Sequence, residues 1–133
     1  MKKIAVIILN WNGADLLRKF LPSVCAHTNA HIADVIVVDN GSDDNSVEVL
    51  KQEFPQVKTL LFPQNCGFAA GYNKALEMLD YKYAVLLNSD VETTPHWLEP
   101  LLEFAEDNPD VAACQPKIKS LRRREKFEYA GAA

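Results

Sequence analysis

Short apolar, β-branched runs alternate along this chain with stretches whose apolar residues recur every three or four positions. Ile4 to Leu9 reads as a first strand. Ala14 to about His27 has helical spacing, with Leu16, Leu17, Phe20, Leu21 and Val24 on one face. Pro22 is expected to bend that helix, because proline lacks a backbone donor. Val35 to Val38 is a second strand ending at Asp39. Ser42-Asp43-Asp44 offers capping side chains for a helix over about Asn45 to Glu53, which Pro55 stops. Val57 to Phe62 is a third strand, and about Phe68 to Leu79 a third helix. Tyr83 to Leu87 is a fourth strand. Thr94-Pro95 predicts the start of a helix that buries Trp97, Leu98, Leu101, Leu102 and Ala105 and ends at Asn108-Pro109. Val111 to Cys114 reads as a fifth strand, and after Lys117 the pattern dissolves.

This alternation predicts an α/β fold, a mostly parallel Rossmann-like sheet with helices on both faces. Right-handed crossovers then bring the carboxyl ends of all strands to one edge. The polar clusters fall at that edge: Asn10-Trp11-Asn12, Asp39-Asn40, Asn65 to Gly67, and Asn88-Ser89-Asp90. Chance would scatter them over both edges, and in open parallel sheets ligands bind outside the carboxyl ends.

The bulk numbers narrow the setting. With 133 residues, 48% of them hydrophobic, the chain holds one domain's worth of core. No apolar run approaches the ~20 residues of a membrane span. Met1-Lys2-Lys3 precedes apolar residues that break at Asn10-Trp11-Asn12-Gly13, too soon for a signal peptide. Cys25, Cys66 and Cys114 have no metal or redox spacing and read as small buried hydrophobes in a reducing cytosol. The net charge of −4 argues against a nucleic-acid partner. The segment from Lys117 carries six basic and two acidic residues, so the first 116 residues hold a net −8. Such a segment suits a solvated loop, or peripheral contact with anionic lipid at the inner face of a membrane. The expected organisation is one α/β domain over residues 1–116 followed by a basic segment over residues 117–133.

Each cluster has a chemistry. Asp39 is placed to accept hydrogen bonds from a ribose or a base N–H, or to cap the turn Asn40-Gly41-Ser42. Gly67 is expected to take positive φ where loop becomes helix. Gly71, costly inside a helix, implies that a strand or a nucleotide packs against it. Asn65 and Asn73 suit hydrogen bonding to a ligand. Asp90, beside Asn88 and Ser89, offers hard oxygen ligands. Mg²⁺ needs only one or two protein carboxylates beside water and phosphate oxygens. A dinucleotide fold would need Gly-x-Gly-x-x-Gly after the first strand, and Asn10-Trp11-Asn12-Gly13, with a bulky indole and one glycine, disfavours it most among the rivals. A nucleotidyltransferase is disfavoured because no glycine- and basic-rich loop follows that strand.

These residues resemble the amino-terminal half of family 2 glycosyltransferases, which have the type A (GT-A) nucleotide-sugar-binding fold. The likeness rests on four ordered motifs: Val6 to Asn12, Val37 to Asp44, Asn65 to Asn73, and Leu86 to Asp90. The third motif and the Asn-x-Asp variant look most like the rhamnosyltransferase-like branch. The resemblance implies that Asn10, Trp11, Asn12 and Asp39 hold base and ribose, and that Asn65, Gly67, Gly71 and Asn73 line the donor pocket. It places Asn88 and Ser89 at the diphosphate, and Asp90 on a divalent metal, Mg²⁺ or Mn²⁺. Asn88 departs from the commoner first acid of that motif.

The implied reaction is inverting transfer from a dTDP- or UDP-sugar to a saccharide or lipid-linked acceptor, in cytoplasmic polysaccharide biosynthesis. The catalytic base is expected beyond Ala133. The chain is thus expected to be a piece of a longer protein that binds donor without transferring sugar. Apolar surface left uncovered there is a route to a homodimer. A noncatalytic nucleotide-sugar module is the alternative.

Overall fold

A computed structural model describes residues 2–111, 118–119 and 127–129. The chain divides into two compact units, Met1–Pro95 and His96–Ala133. The first contains β1 (Ile4–Asn10), α1 (Ala14–His27), β2 (Ala33–Asn40), α2 (Ser46–Glu53), β3 (Lys58–Phe62), α3 (Phe68–Met78) and β4 (Tyr83–Leu87). Its four strands form one parallel sheet in the order β3-β2-β1-β4. The order reverses at β1, so the crevice between the ends of β1 and β4 is the topological switch point.

Strand parity sorts the core. Ala5, Ile7, Ile36, Val38 and Phe62 pack with Tyr72 and Ala75 of α3. The opposite-facing Ile4, Val6, Ile8 and Val37 are equally buried, on the side of α1 and α2, whose Leu17, Leu21, Val24, Val49 and Leu50 are buried too. Successive side chains of a strand point to opposite faces, so β1 and β2 must be apolar at every position. α1 runs through Pro22 to His27, and Leu16, expected on its inner face, is exposed. Among the cysteines, Cys66 is exposed and Cys25 half-buried, against the expectation of burial; Cys114 lies outside the described residues.

At the amino-terminal edge, Asp34 receives hydrogen bonds from Lys2 Nζ (2.7 Å), Lys58 Nζ (3.0 Å) and the Tyr81 hydroxyl (2.6 Å). Burial acts to raise its carboxyl, but the bonds from Lys2, Tyr81 and Lys58 outweigh it and lower the pKa to about 2. An unfolded aspartate titrates near ~3.9. The stabilisation is therefore complete above that value and lost as pH falls through the folded pKa. With solvent around the lysine heads it amounts to on the order of 1–2 kcal/mol. Urea midpoints between about pH 6 and pH 2 should fall on the acid side for the unaltered chain, and Asp34→Asn should flatten that limb.

The second unit contains α4 (Glu99–Asp107) and the antiparallel pair β5 (Ile118–Lys119) and β6 (Phe127–Tyr129). The helix expected at Thr94-Pro95 starts later, because His96 has φ 58° and that left-handed conformation cannot belong to an α-helix. Pro100 then occupies the first turn. Leu98 is buried, whereas Trp97, Leu101, Leu102 and Ala105 are only half-buried. Val111 is not in a strand, and the rest of the expected fifth strand lies outside the described residues. The strands β5 and β6 arise where no pattern was legible after Lys117. The domain boundary expected at residues 116 and 117 also lies outside the described residues. No described helix is long and apolar enough to cross a membrane.

Candidate nucleotide-sugar site

The loops after β1, β2 and β3 are tied together by side chains at the carboxyl edge. Asn10 and Asp39 are register partners on one sheet face. Asn10 Nδ2 donates to Asp39 Oδ1 at 3.0 Å and to Ser42 Oγ at 3.3 Å. Asp39 also accepts from the Ser42 amide (3.0 Å) and hydroxyl (2.6 Å). Asp39 is only 3% exposed, so its carboxylate is the centre of a buried turn network. Capping of the turn Asn40-Gly41-Ser42 is the part of the expectation that the geometry displays. Asn10 Oδ1, by contrast, is buried with no partner among the described residues.

Asn12 ties the first two loops from the other side. With φ 51°, its amide donates to Ser42 Oγ at 2.9 Å. Its Oδ1 accepts from the amides of Asp43 (2.7 Å) and Asp44 (3.2 Å). Asp44 then accepts from Ala14 N at 3.2 Å, at the start of α1, and from the amide (2.9 Å) and hydroxyl of Ser46, at the start of α2. One carboxylate thus serves two helix amino termini, where partial positive charge favours it. Burial works to raise the Asp44 carboxyl, but the Ser46 and Ala14 donors leave it lowered.

Asn40 follows Asp39 in β2 and therefore points to the other face. Its Nδ2 donates to Asn65 Oδ1 and to the Gly67 carbonyl, both at 3.2 Å. Its Oδ1 accepts from the Cys66 amide (3.1 Å) and thiol (3.3 Å). Asn65 Oδ1 also takes the Gly67 amide at 2.7 Å. Gly67 has φ 90°, as expected where the loop enters α3. At Gly71 an added Cβ would lie 3.0 Å from the Leu9 side chain and 3.3 Å from Asn40 Nδ2. Close helix–strand packing therefore accounts for this glycine. Asn73 is exposed on α3.

Four predicted site residues are left free at the switch-point edge. Trp11 is 53% exposed after β1. Asn88, Ser89 and Asp90 follow β4 as a turn, Asn88 and Asp90 exposed and Ser89 half-buried, and none hydrogen-bonds another described residue. The sequence placed Asn40 beside Asp39 and read Ser42 and Asp44 as helix caps, but it did not show that these side chains tie separate loops together. Their signal was the run of polar residues flanking Gly41; which loop each would reach was not legible. No group of three or more acidic, histidine or cysteine side chains suited to a metal occurs among the described residues. Asp90 offers one exposed carboxylate, and a divalent cation held there would complete its shell with ligand oxygens and water, as Mg²⁺ tolerates.

Comparison with known proteins agrees with this architecture. Residues 5–130 match the family Glycosyl transferase family 2. The chain is 34% identical over 116 residues to the uncharacterized glycosyltransferase YibD of Escherichia coli, covering 84% of this chain and 33% of that protein. It is 24% identical over 127 residues to an N-acetylglucosaminyl-diphospho-decaprenol L-rhamnosyltransferase of Mycobacterium tuberculosis, covering 87% of this chain and 41% of that protein. The fold superposes on S. aureus TarS 1–349, solved with UDP-GlcNAc, with TM-score 0.70 at 18% identity, over 92% of this chain and 42% of that one. The chain therefore spans less than half the length of each of these relatives. With a parallel GT-A sheet and a family match over nearly its whole length, this chain belongs to glycosyltransferase family 2.

Proposed function

We propose that this chain binds the nucleoside-diphosphate sugar donor of an inverting glycosyl transfer. The observation that carries the reading is the free Asn88-Ser89-Asp90 turn at the switch-point crevice, beside a loop that exposes Trp11. The solved complex of the TarS neighbour with UDP-GlcNAc supports a UDP-type donor. The similarity to an N-acetylglucosaminyl-diphospho-decaprenol L-rhamnosyltransferase supports a lipid-linked acceptor, and a dTDP-type donor is tested beside UDP.

In this reading Trp11 offers an aromatic face to the base, held in place by the Asn12, Ser42 and Asp39 network beneath it. Asn65 and Gly67 border the donor on the α3 side. Asp90 would hold Mg²⁺ or Mn²⁺ against the diphosphate, and Asn88 and Ser89 would hydrogen-bond its oxygens or bound water. A divalent ion there supplies Lewis-acid stabilisation of the charge that builds on a departing diphosphate. An acceptor hydroxyl replaces the diphosphate at the anomeric carbon and gives its proton to a base. That base is assigned to no residue of this chain.

Calorimetric titration of UDP and dTDP, with and without Mn²⁺, tests the reading. Mn²⁺ should strengthen binding at least tenfold, about 1.4 kcal/mol. Asp90→Ala should remove that gain and leave stability within about 0.5 kcal/mol, because the side chain is exposed and unpaired. Binding without any metal effect would favour a noncatalytic nucleotide-sugar module. Sugar transfer by residues 1–133 alone would show that the base lies within them.

A further inference from the structure

The turn that carries Asp90 is fastened on both sides. Upstream, the Tyr72 hydroxyl of α3 donates to the Leu87 carbonyl at 3.0 Å. Downstream, buried Thr93 is held by α1. Its amide donates to Ser23 Oγ at 3.2 Å, and its carbonyl lies 2.9 Å from His27 Nδ1. A carbonyl oxygen can only accept, so Nδ1 carries the proton. Ser23 and His27 are four residues apart and therefore share one face of α1. The Ser23 hydroxyl donates its own proton to the Phe20 carbonyl at 3.0 Å, which leaves an oxygen lone pair for Thr93. These anchors come from helices on opposite faces of the sheet. Between them, Asn88, Ser89 and Asp90 have no hydrogen bond to another described residue.

We propose that Ser23 and His27, which lie on α1 and bear no ligand-binding motif, are positioning residues for the donor's metal–diphosphate end. By fixing Thr93 they limit where the Asp90 turn can stand at the mouth of the crevice. A cation held by one protein carboxylate gains little from the protein unless that carboxylate is already in place, so the fastening matters more here than at a crowded site. Partners behind a metal ligand commonly change metal affinity by about 10–100-fold. The inference rests on the reading of Asp90 given above.

The test compares the unaltered chain with His27→Ala, His27→Asn and Ser23→Ala. UDP affinity is measured with and without Mn²⁺, and amide hydrogen exchange is followed over residues 88–93. His27→Ala should weaken Mn²⁺-supported UDP binding about tenfold or more and leave metal-free binding within about twofold. Exchange at the Thr93 amide, which Ser23 Oγ holds, should quicken in His27→Ala and Ser23→Ala. Asparagine puts an amide N–H where Nδ1–H stood, so His27→Asn should restore both readouts. Metal-supported affinity unchanged in His27→Ala, or exchange unchanged at the Thr93 amide, would overturn the proposal. If the unaltered chain shows no Mn²⁺ effect, the reading of Asp90 falls. Faster exchange in His27→Ala, reversed in His27→Asn, would then still support the fastening, and unchanged exchange would refute it.

Discussion

Alanine at Gly41 should destabilise the chain by about 2–5 kcal/mol, combining a left-handed backbone with overpacking. Gly41 has φ 76°, and a Cβ there would lie 2.6 Å from the Cα and carbonyl carbon of Gln64 and 2.7 Å from Asn65 N. These are backbone atoms and cannot rotate away. The loop after β3 would have to retreat, taking Asn65 and Gly67 from Asn40. A urea titration should show a lower midpoint at nearly constant slope. Asparagine tolerates the left-handed region better than alanine but carries the same Cβ. Gly41→Asn should therefore recover about 1 kcal/mol at most. Full recovery would mean that φ alone sets the cost and that the contact with Gln64 is slack.

The second large effect is expected at Asp39. Asp39→Ala strands the amide and hydroxyl of half-buried Ser42 and leaves buried Asn10 Nδ2 only its longer bond to Ser42 Oγ. Each unsatisfied group costs about 1–3 kcal/mol, so a total near 3 kcal/mol is expected after local rearrangement. Nucleotide affinity should fall with it, because Asn12 and the loop bearing Trp11 lose the Ser42 hydroxyl that seats them. Asp90→Ala makes the contrast: little loss of stability, and loss of the metal effect only. Thermal or urea unfolding beside calorimetry on both variants separates the two carboxylates. If Asp39→Ala unfolds at the same midpoint as the unaltered chain, its carboxylate is no structural centre and direct ligand contact becomes its better description.

Both aspartates stand at strand ends beside polar neighbours, and from the linear chain they look alike. What differs is the partner available on the same sheet face. β1 and β2 pair so that Asn10 faces Asp39, residues 29 positions apart. β4 lies on the other side of β1, and its last residue in the register, Leu87, pairs with Ile8. Asp90 falls beyond the ladder, with no neighbour to claim its carboxylate. Asn40 shows the same logic. Its sequence position beside Asp39 suggested one cluster, yet the pleat sends it to the α3 side to bind Asn65, Cys66 and Gly67.

Strand and helix placement was legible because core patterning repeats locally. Tyr83–Leu87 and Ala14–His27 have the expected bounds. The late start of α4 was not legible, since Thr94-Pro95 is a sound amino-terminal signal and only the left-handed backbone of His96 defeats it. Ser23 and His27 carried no signal at all. Their partner Thr93 is 66–70 residues away, and nothing near them in sequence anticipates it.

By itself the sequence determined the alternation of apolar strands and amphipathic helices, and hence a parallel sheet with its polar clusters gathered at one edge. Only the tertiary structure decided which of those polar side chains hold the loops and which are free for a ligand. The reason is physical: a buried polar group must be satisfied. Its partner is set by strand register and helix placement, which bring together residues far apart in the chain.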